Sequence, residues 1–513
     1  MANSPTQLPP GVSGASIHQP DRPAAAAGWR RLLPHAHWLL LLPLLLDLGY
    51  SYVQHLNVPH DGDMASHVLP RENIRWVLQD PFALKVLLEN QYYSGPNRYF
   101  AFATLYHYMR NVPLWLQAFV DPIYSTYMAC AMAKTFVQAL LIALLAYYAS
   151  ERFAPTARGL LIAALLCTPF FQTAGFHDDI GIIDRSITYT IFYALPLGML
   201  LVYFLPFYRQ FLAVRRTPVS AVWQVVLPFL AVVLALHGPL IPAVAGLLSS
   251  ALLSYLWLSR FRELRGAGQA LAASAWQAVK AMPWGVVAQF GFLILLCAYS
   301  LYIGTHNAEN VTTYTLAQRY EKLWQGIPNV LGNSWAFPLL LLAALLNVVL
   351  VAVRFRTRHD AGAGRILKAA QWLLALSVLY LVLLPLGGYR EVRPFIMRRD
   401  TIMPVTLCLV YLFATSGLYL LYRLPNKLKF GYLTLVVALA WFYSAHDRSN
   451  LLENNCEVAA MRTIAASPEP TVHLEADCSI MNWGTITDPR FSEEQGKMLH
   501  YWNITRVEKR FYH

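Results

Sequence analysis

Long apolar runs separated by short polar segments cover most of this chain. Runs of this length suit helices that cross roughly 30 Å of hydrocarbon. They are too long and continuous for the strands of a membrane barrel, so the pattern predicts α-helices, whose backbone groups are satisfied within one segment. Eleven membrane helices are predicted, at 34–53, 123–149, 159–176, 188–207, 222–237, 239–258, 285–303, 335–353, 370–387, 401–421 and 430–445.

The composition leads to the same class of protein. The 513 residues are 57% hydrophobic and 13% charged, with a mean hydropathy of +0.40, whereas soluble chains carry about 25% charged residues. The stretch 222–258 admits two interpretations around His237-Gly238-Pro239: a tight hairpin of two helices, or one helix followed by a re-entrant segment. With either interpretation, the sequence predicts an all-α polytopic membrane protein.

Lysine and arginine are distributed unevenly between the predicted helices. Six polar segments hold 20 of the 40 Lys and Arg residues but only 4 of the 28 Asp and Glu residues. Because positively charged loops stay in the cytoplasm, we place these segments there, where the net charge of +12 faces anionic lipid rather than nucleic acid. The segments are 1–34, 150–158, 208–221, 259–284, 354–369 and 422–430.

This orientation predicts a multi-pass protein of the inner or plasma membrane with a cytoplasmic N-terminus. Residues 1–33 are rich in Pro, Ala and Ser and are predicted to be a disordered cytoplasmic tail. Residues 34–445 form the transmembrane domain, which includes a long outer loop at 54–122, and residues 446–513 form a small outer segment. Most polar residues outside the helices then lie on the periplasmic or extracytoplasmic side, which is the predicted working face.

The small outer segment contains two cysteines, Cys456 and Cys478. A disulfide between them is permitted in this compartment, and two free thiols are the alternative.

The outer loop 54–122 contains signals for several short helices. Pro70 and Pro81 each stand near the start of a predicted helix, and a third helix is predicted to begin near Pro96. The stretch 82–88 is too short to cross a bilayer but apolar enough to lie in its interface. These helices are expected to form a ledge on the membrane surface.

The most informative motif, His60-Asp61-Gly62-Asp63, opens this loop. A carboxylate can act as a general base, and two Asp residues separated by one residue resemble arrangements that hold a divalent cation such as Mg or Mn. Asp63 and Asp61 are therefore candidate catalytic residues and candidate metal ligands. The alternative is an Asp/Gly turn after a helix, which is common in loops.

A second acidic pair, Asp178 and Asp179, lies in the short outer link after the third predicted helix. This link reaches the same face as Asp63, so the pair is a candidate for binding substrate or completing a metal site. The alternative is a solvated link with a local Asp184–Arg185 pair.

Four arginines stand late in the chain on the side where the topology predicts few positive charges. Arginine makes bidentate contacts to phosphate, so a cluster at the outer lipid interface suits a lipid-linked phosphate. The alternative is that this loop lies in the cytoplasm, which requires an error of one in the number of helices. The four are Arg390, Arg393, Arg398 and Arg399.

The order of these features resembles the GT-C class of membrane glycosyltransferases. The resemblance is architectural and covers most of the chain, and its motifs are His60-Asp61-Gly62-Asp63 and the late segment 389–394. It implies that an outer-loop Asp serves the acceptor and that a polyprenyl-phosphate or polyprenyl-diphosphate sugar is the donor. The implied reaction transfers the sugar, with inversion, to an envelope glycan, lipid or protein.

Three rival functions stay open. An O-antigen polymerase or ligase would also use polyprenyl-linked glycans, but it would depend on the arginines rather than on Asp63. A transporter or flippase of lipid-linked sugars would usually show broken helices in paired repeats, and no repeat is evident here. A scaffold protein would depend on neither set of charges.

Overall fold

The computed structural model describes residues 36–152, 154–214, 216–310, 314–356, 360–389 and 393–513. The predicted tail at 1–33 lies outside these residues. These residues include two short strands, β1 (Thr471–His473) and β2 (Arg510–Tyr512). The helices of the described residues, numbered in chain order, are α1 (His37–Leu56), α2 (Met64–Val68), α3 (Glu72–Gln79), α4 (Leu84–Glu89), α5 (Tyr99–Leu116), α6 (Pro122–Ser150), α7 (Arg158–Phe170), α8 (His177–Ile180), α9 (Ile187–Leu212), α10 (Ala221–Ala235), α11 (Leu240–Gly266), α12 (Leu271–Lys280), α13 (Trp284–Gly304), α14 (Leu316–Gly332), α15 (Ala336–Phe355), α16 (Ala361–Gly387), α17 (Arg399–Arg423), α18 (Asn426–His446), α19 (Asn455–Ala466) and α20 (Glu493–Tyr501).

Nine helices in the described part of the chain are long and apolar enough to cross a membrane: α1, α6, α9, α11, α13, α15, α16, α17 and α18. The protein is therefore an all-α polytopic membrane protein, as predicted. The two shorter apolar helices α7 and α10 account for the remaining predicted segments. The stretch 222–258 forms two helices, α10 and α11, with a turn between them. The number of helices that cross the bilayer stays a prediction.

The polar links gather at two ends of the helix bundle. At one end, the amide of Phe100 donates to the carbonyl of Leu236 at 3.1 Å, and the amide of Thr173 donates to Asp447 Oδ1 at 3.0 Å. Links that are far apart in the sequence therefore meet here. We name this the site end, formed by residues 57–121, 171–186, 236–239, 305–335, 388–398 and 447–513 within the described residues.

The other end is organised around Glu151, which follows α6. Its carboxylate accepts hydrogen bonds from Arg365 Nη2 at 2.6 Å and from the amide of Val214 at 2.8 Å. These residues join the links after α6 and α9 to the start of α16. The short helices α7 and α10 each connect one end to the other, so the chain alternates between the ends as the charge pattern predicts. Which end faces the cytoplasm stays a prediction.

The long loop at the site end folds into short helices followed by α5. Helices α3, α4 and α5 begin close to Pro70, Pro81 and Pro96, as predicted, whereas α2, which directly follows Asp63, was missed. Apolar side chains of this loop are exposed, which suits a segment that lies in the membrane interface. They include Phe82, Leu84, Leu87, Leu88 and Tyr92.

The C-terminal segment is a small domain built from α19, α20 and the parallel strands β1 and β2, which pair in register through Val472 and Phe511. The predicted disulfide between Cys456 and Cys478 is confirmed. Trp502 is fully buried, and its Nε1 donates to the carbonyl of Met109 in α5 at 2.9 Å. The domain is therefore packed against the long loop at the site end.

Glu457, in α19, joins this domain to the rest of the site end. Its fully buried carboxylate accepts hydrogen bonds from the amide of His60 at 2.9 Å, the hydroxyl of Tyr127 at 2.6 Å and the amide of Met481 at 3.0 Å. Burial would raise the pKa of Glu457, but His60 and these hydrogen bonds outweigh it and lower the pKa. The ionised carboxylate is thus the form that holds the three segments together.

We predict that Glu457→Gln lowers the thermal midpoint of the detergent-solubilised protein. The glutamine side chain removes the negative charge, and its NH2 group faces groups that are themselves hydrogen-bond donors. The cost is on the order of 2 kcal/mol, the usual scale for hydrogen bonds to a charged group. Since folding depresses the pKa of Glu457, its contribution is present above the unfolded value of about 4.3 and is lost progressively as the pH falls from there through the lower folded-state pKa. Differential scanning fluorimetry measures the first effect at pH 7 and the second in a series that descends from pH 5.

The matched control is Glu469→Gln, because Glu469 is exposed on the same domain. An unchanged midpoint for Glu457→Gln at pH 7 would contradict the role given to Glu457.

Candidate active site

Asp63 lies at the N-terminus of α2, partly exposed at the site end. Its Oδ1 accepts a hydrogen bond from Trp483 Nε1 at 3.2 Å, and its carbonyl accepts one from His67 Nδ1 at 2.6 Å. Among the described residues, no lysine or arginine forms an ion pair with Asp63. Its carboxylate is therefore positioned by the indole of Trp483, and its backbone carbonyl by His67.

Asp61 has a different environment, since it is buried against the start of α9. Its Oδ1 accepts from Thr188 Oγ1 at 2.9 Å and from the amide of Asp63 at 3.1 Å, and its Oδ2 accepts from the amide of Thr188 at 3.3 Å. Burial raises the pKa of Asp61, and hydrogen bonds from Ser186 and Thr188 oppose the rise. Asp61 thus fixes the loop to α9 and orients Asp63.

Gly62, between the two carboxylates, has a packing role. A Cβ atom at this position would lie 2.5 Å from the backbone nitrogen of Trp483. Backbone cannot move aside as a flexible side chain does, so only glycine allows the C-terminal domain to close over the motif. The spacing between Asp61 and Asp63 is therefore explained by this close approach.

Arg393, from the late loop, reaches the same place. Its Nη2 donates to the hydroxyl of Tyr189 at 2.6 Å, and its guanidinium carbon lies 5.3 Å from the centre of that ring. The Tyr189 ring in turn stacks on the Trp483 indole, with 6.0 Å between ring centres. Two aromatic rings therefore connect Arg393 to Asp63, although the two lie far apart in the sequence.

The other described arginines of the late loop are paired with carboxylates. Arg399 forms an ion pair with Asp184 and donates to His177 Nε2 at 2.8 Å, and its side chain is only 18% exposed. Arg398 donates to both oxygens of Asp400, at 2.7 and 2.9 Å. Both are held by carboxylates in direct contact, whereas the side chain that bonds to Arg393 is a phenol and the charge of Asp400 acts on Arg393 without an ion-pair contact.

Arg390 lies outside the described residues. Within those residues, no group of three or more His, Cys, Asp or Glu side chains is placed to hold a metal ion. Because Asp61 is turned toward Thr188, the divalent cation at Asp61 and Asp63 stays a prediction.

The second acidic pair also lies at the site end, but its contacts are with other residues than those of the Asp61 and Asp63 motif. The Asp178 side chain is 91% exposed, and a hydrogen bond from His177 lowers its pKa to about 2. Asp179 Oδ1 accepts from Asn333, at the end of α14, at 3.3 Å. In the described part of the chain, neither carboxylate bonds to the Asp61 and Asp63 motif. Their role in binding substrate stays a prediction.

Three residues of the site region were missed by the sequence interpretation: Tyr189, Trp483 and Glu457. Each is placed by tertiary contacts, and none stands in a local motif. The only signal in the sequence is that Tyr189 follows a possible helix start at Ser186, whose hydroxyl accepts from the amide of Tyr189 at 3.2 Å.

Comparison with protein-family models, with curated proteins and with solved structures finds no match to this chain. The class that the fold defines is that of polytopic helical membrane proteins.

We predict that Arg399→Gln destabilises the protein, because it leaves the buried carboxylate of Asp184 without its cation. Breaking a buried ion pair in this way costs roughly 3 kcal/mol. The thermal midpoint of the solubilised protein measures the loss, with Arg75→Gln as the control because Arg75 is exposed. A midpoint equal to that of the wild type would show that Arg399 is not needed by Asp184 and is available for a ligand.

Proposed function

We propose that this protein is a GT-C-type membrane glycosyltransferase that moves a sugar from a polyprenyl-phosphate or polyprenyl-diphosphate donor to an envelope glycan, lipid or protein. The observation that carries the proposal is the chain of contacts that runs from Asp63 through Trp483 and Tyr189 to Arg393. A base and a cation are the two groups that glycosyl transfer from a phosphate requires.

Each residue has a distinct part in this reaction. Asp63 takes the proton from the acceptor hydroxyl as the acceptor oxygen attacks the anomeric carbon. The bond from that carbon to the phosphate oxygen breaks, and the charge left on the polyprenyl phosphate is stabilised by Arg393. Asp61 keeps Asp63 in position from its buried place on α9. Attack from the face opposite the leaving phosphate inverts the anomeric centre.

The surroundings of the two groups support this division of roles. The side chain that bonds to the Asp63 carboxylate is Trp483, a neutral donor. Arg393 bonds to a tyrosine hydroxyl, an exchangeable partner, whereas Arg398 and Arg399 are held by carboxylates. Helix ends on the same side give a lipid-linked donor an apolar region for its chain and a polar region for its phosphate.

We predict that Asp63→Asn abolishes transfer while the protein still folds, because the amide keeps the shape but cannot accept the proton. The measurement is mass spectrometry of envelope glycans from a deletion strain that expresses either the wild type or the variant at equal levels. The expected result is the same missing-sugar mass for Asp63→Asn as for the deletion. Asp477→Asn, at an exposed carboxylate of the C-terminal domain, is the matched control and should restore the glycans.

Arg393→Gln distinguishes the rival functions in the same strain. Loss with Arg393→Gln but full restoration by Asp63→Asn would favour the arginine-dependent polymerase or ligase. Full restoration by both variants would remove the transferase proposal and leave transport or scaffolding.

A further inference from the structure

A wide groove separates the long loop from the C-terminal domain at the site end. One wall is formed by α3 and α5, and the other by α20 and the turn Pro489–Ser492. The groove has a volume of about 1140 Å³, which exceeds the roughly 300–1,000 Å³ of ordinary small-molecule pockets. It therefore has room for a ligand longer than a single small molecule.

The lining of the groove combines charges of both signs with aromatic rings. It includes five arginines and lysines and four glutamates. This near balance of charge does not suit a polyanion, which needs an excess of cations, and so many charges do not suit a hydrocarbon chain. The ring of Phe491 is 74% exposed. The aromatic residues of the lining are Tyr99, Tyr106, Phe491 and Tyr501.

A carbohydrate has a surface that matches this lining. Each sugar hydroxyl both donates and accepts hydrogen bonds, so it can bond to arginine donors and to glutamate acceptors. The C–H face of a sugar ring can pack on an aromatic ring, which gives apolar contact area. A peptide matches less well, because peptide sites present a free sheet edge or an apolar groove. The walls here are mostly polar faces of helices, whose backbone groups bond within the helix.

Arg110, in α5, is held in the groove by one tyrosine from each wall. Its Nη1 donates to the hydroxyl of Tyr106 at 2.9 Å, and its Nε donates to the hydroxyl of Tyr501 at 3.1 Å. Its guanidinium carbon lies 4.7 and 4.6 Å from the centres of these two rings. Among the described residues, no carboxylate forms an ion pair with Arg110, and neither of the two hydrogen bonds uses Nη2. Arg110 therefore has a fixed orientation and donors that a ligand can use.

One end of the groove adjoins the acidic motif. Leu69 and Arg71 line the groove, and the five residues of α2, about 7.5 Å at 1.5 Å per residue, connect them to Asp63. The hydrogen bond to Glu494 raises the pKa of Arg71, and the charge of Asp63 adds to this rise, although burial opposes it. Asp63 is therefore close enough to act on a residue of the lining.

We propose that this groove binds an oligosaccharide, with Arg110 as a hydrogen-bonding group and Phe491 as a stacking surface. The identification of this oligosaccharide as the acceptor rests on the proposed function, whereas the binding of a carbohydrate does not. The acceptor is then a chain of several sugars that extends away from Asp63, rather than a protein or a simple lipid.

The test measures binding to the full-length protein in phosphatidylcholine nanodiscs by microscale thermophoresis. The probes are oligosaccharides released by mild acid from the envelope of the deletion strain, labelled at the reducing end and separated by length. These fragments include the envelope glycans that lack the transferred sugar. We expect saturable binding whose affinity rises with chain length over the first few sugars and then stays constant, because the groove is of limited size.

Two variants place the binding site in the groove. Arg110→Gln is expected to weaken binding by roughly tenfold to a hundredfold, the effect of losing one charged hydrogen-bonding partner. Phe491→Ala removes a mostly exposed ring and is expected to weaken binding by roughly threefold to tenfold. Phe119→Ala is the matched control and should bind as the wild type does, because Phe119 is 84% exposed and is not part of the lining.

Other fractions of the same envelope test the class of ligand. Peptides from a protease digest and extracted lipids should not bind; binding of either one, without binding of the oligosaccharides, would overturn the assignment to a carbohydrate. Equal affinity of the wild type, Arg110→Gln and Phe491→Ala for the oligosaccharides would overturn the site itself. All variants are compared as monodisperse samples by size exclusion, and Phe491→Ala decides the outcome if Arg110→Gln does not fold.

The result is separate from the transferase test. Asp63→Asn should bind the oligosaccharides as the wild type does, because Asp63 is not part of the lining and the amide keeps its shape. If Asp63→Asn restores the envelope glycans but the two groove variants lose affinity, the carbohydrate site stands and the transferase proposal falls. If Asp63→Asn abolishes transfer but no oligosaccharide binds at millimolar concentration, the transferase proposal stands and the carbohydrate site falls.

Discussion

The buried carboxylate of Glu457 is the constraint on which the site end depends. It receives donors from the loop before Asp61, from α6 and from the C-terminal domain, so one charge joins three distant parts of the chain. A buried charge is tolerated only when it is fully hydrogen-bonded. Any displacement of the domain would remove these donors, and the domain must therefore sit where Met481 and the following Trp483 reach the acidic motif. Gly62 also allows this position of the domain, because the absence of a Cβ atom leaves room for the Trp483 backbone.

This coupling explains why the two carboxylates of one motif have different partners. Both oxygens of Asp61 accept hydrogen bonds from Thr188 at the start of α9, one from its hydroxyl and one from its amide. Asp63, two residues on, is turned toward the aromatic pair Tyr189 and Trp483. Both orientations follow from a short loop pinned at His60 by Glu457 and at Asp61 by α9. Because His60 and Asp61 are both fixed, the carboxylate of Asp63 has a defined orientation, which a reacting group needs.

The sequence predicted the class of fold because the evidence for it is local. Apolar runs and the uneven distribution of arginine and lysine are read within each segment, and helices α3, α4 and α5 begin two or three residues after a proline. Helices α7 and α10 are the two predicted membrane helices that the structure makes shorter than the others. The site was predicted only in part. Asp63 stands in a local motif, but Trp483, Tyr189 and Glu457 depend on contacts between residues hundreds of positions apart, which periodicity and spacing do not encode.

The arginines of the late loop also show what the sequence cannot predict. Sequence alone counts Arg393, Arg398 and Arg399 as equivalent members of one basic loop, yet two of them end beside carboxylates, Asp400 and Asp184, and one ends beside a phenol. A structural arginine has a carboxylate bound to its guanidinium group, whereas a ligand-binding arginine does not. Tertiary packing decides which of the two an arginine becomes. At an interface where apolar helices end, an arginine left without a carboxylate must be balanced by solvent or by a ligand. Arg393, whose bonded partner is a phenol, is therefore a better place to look for a bound anion than its two neighbours.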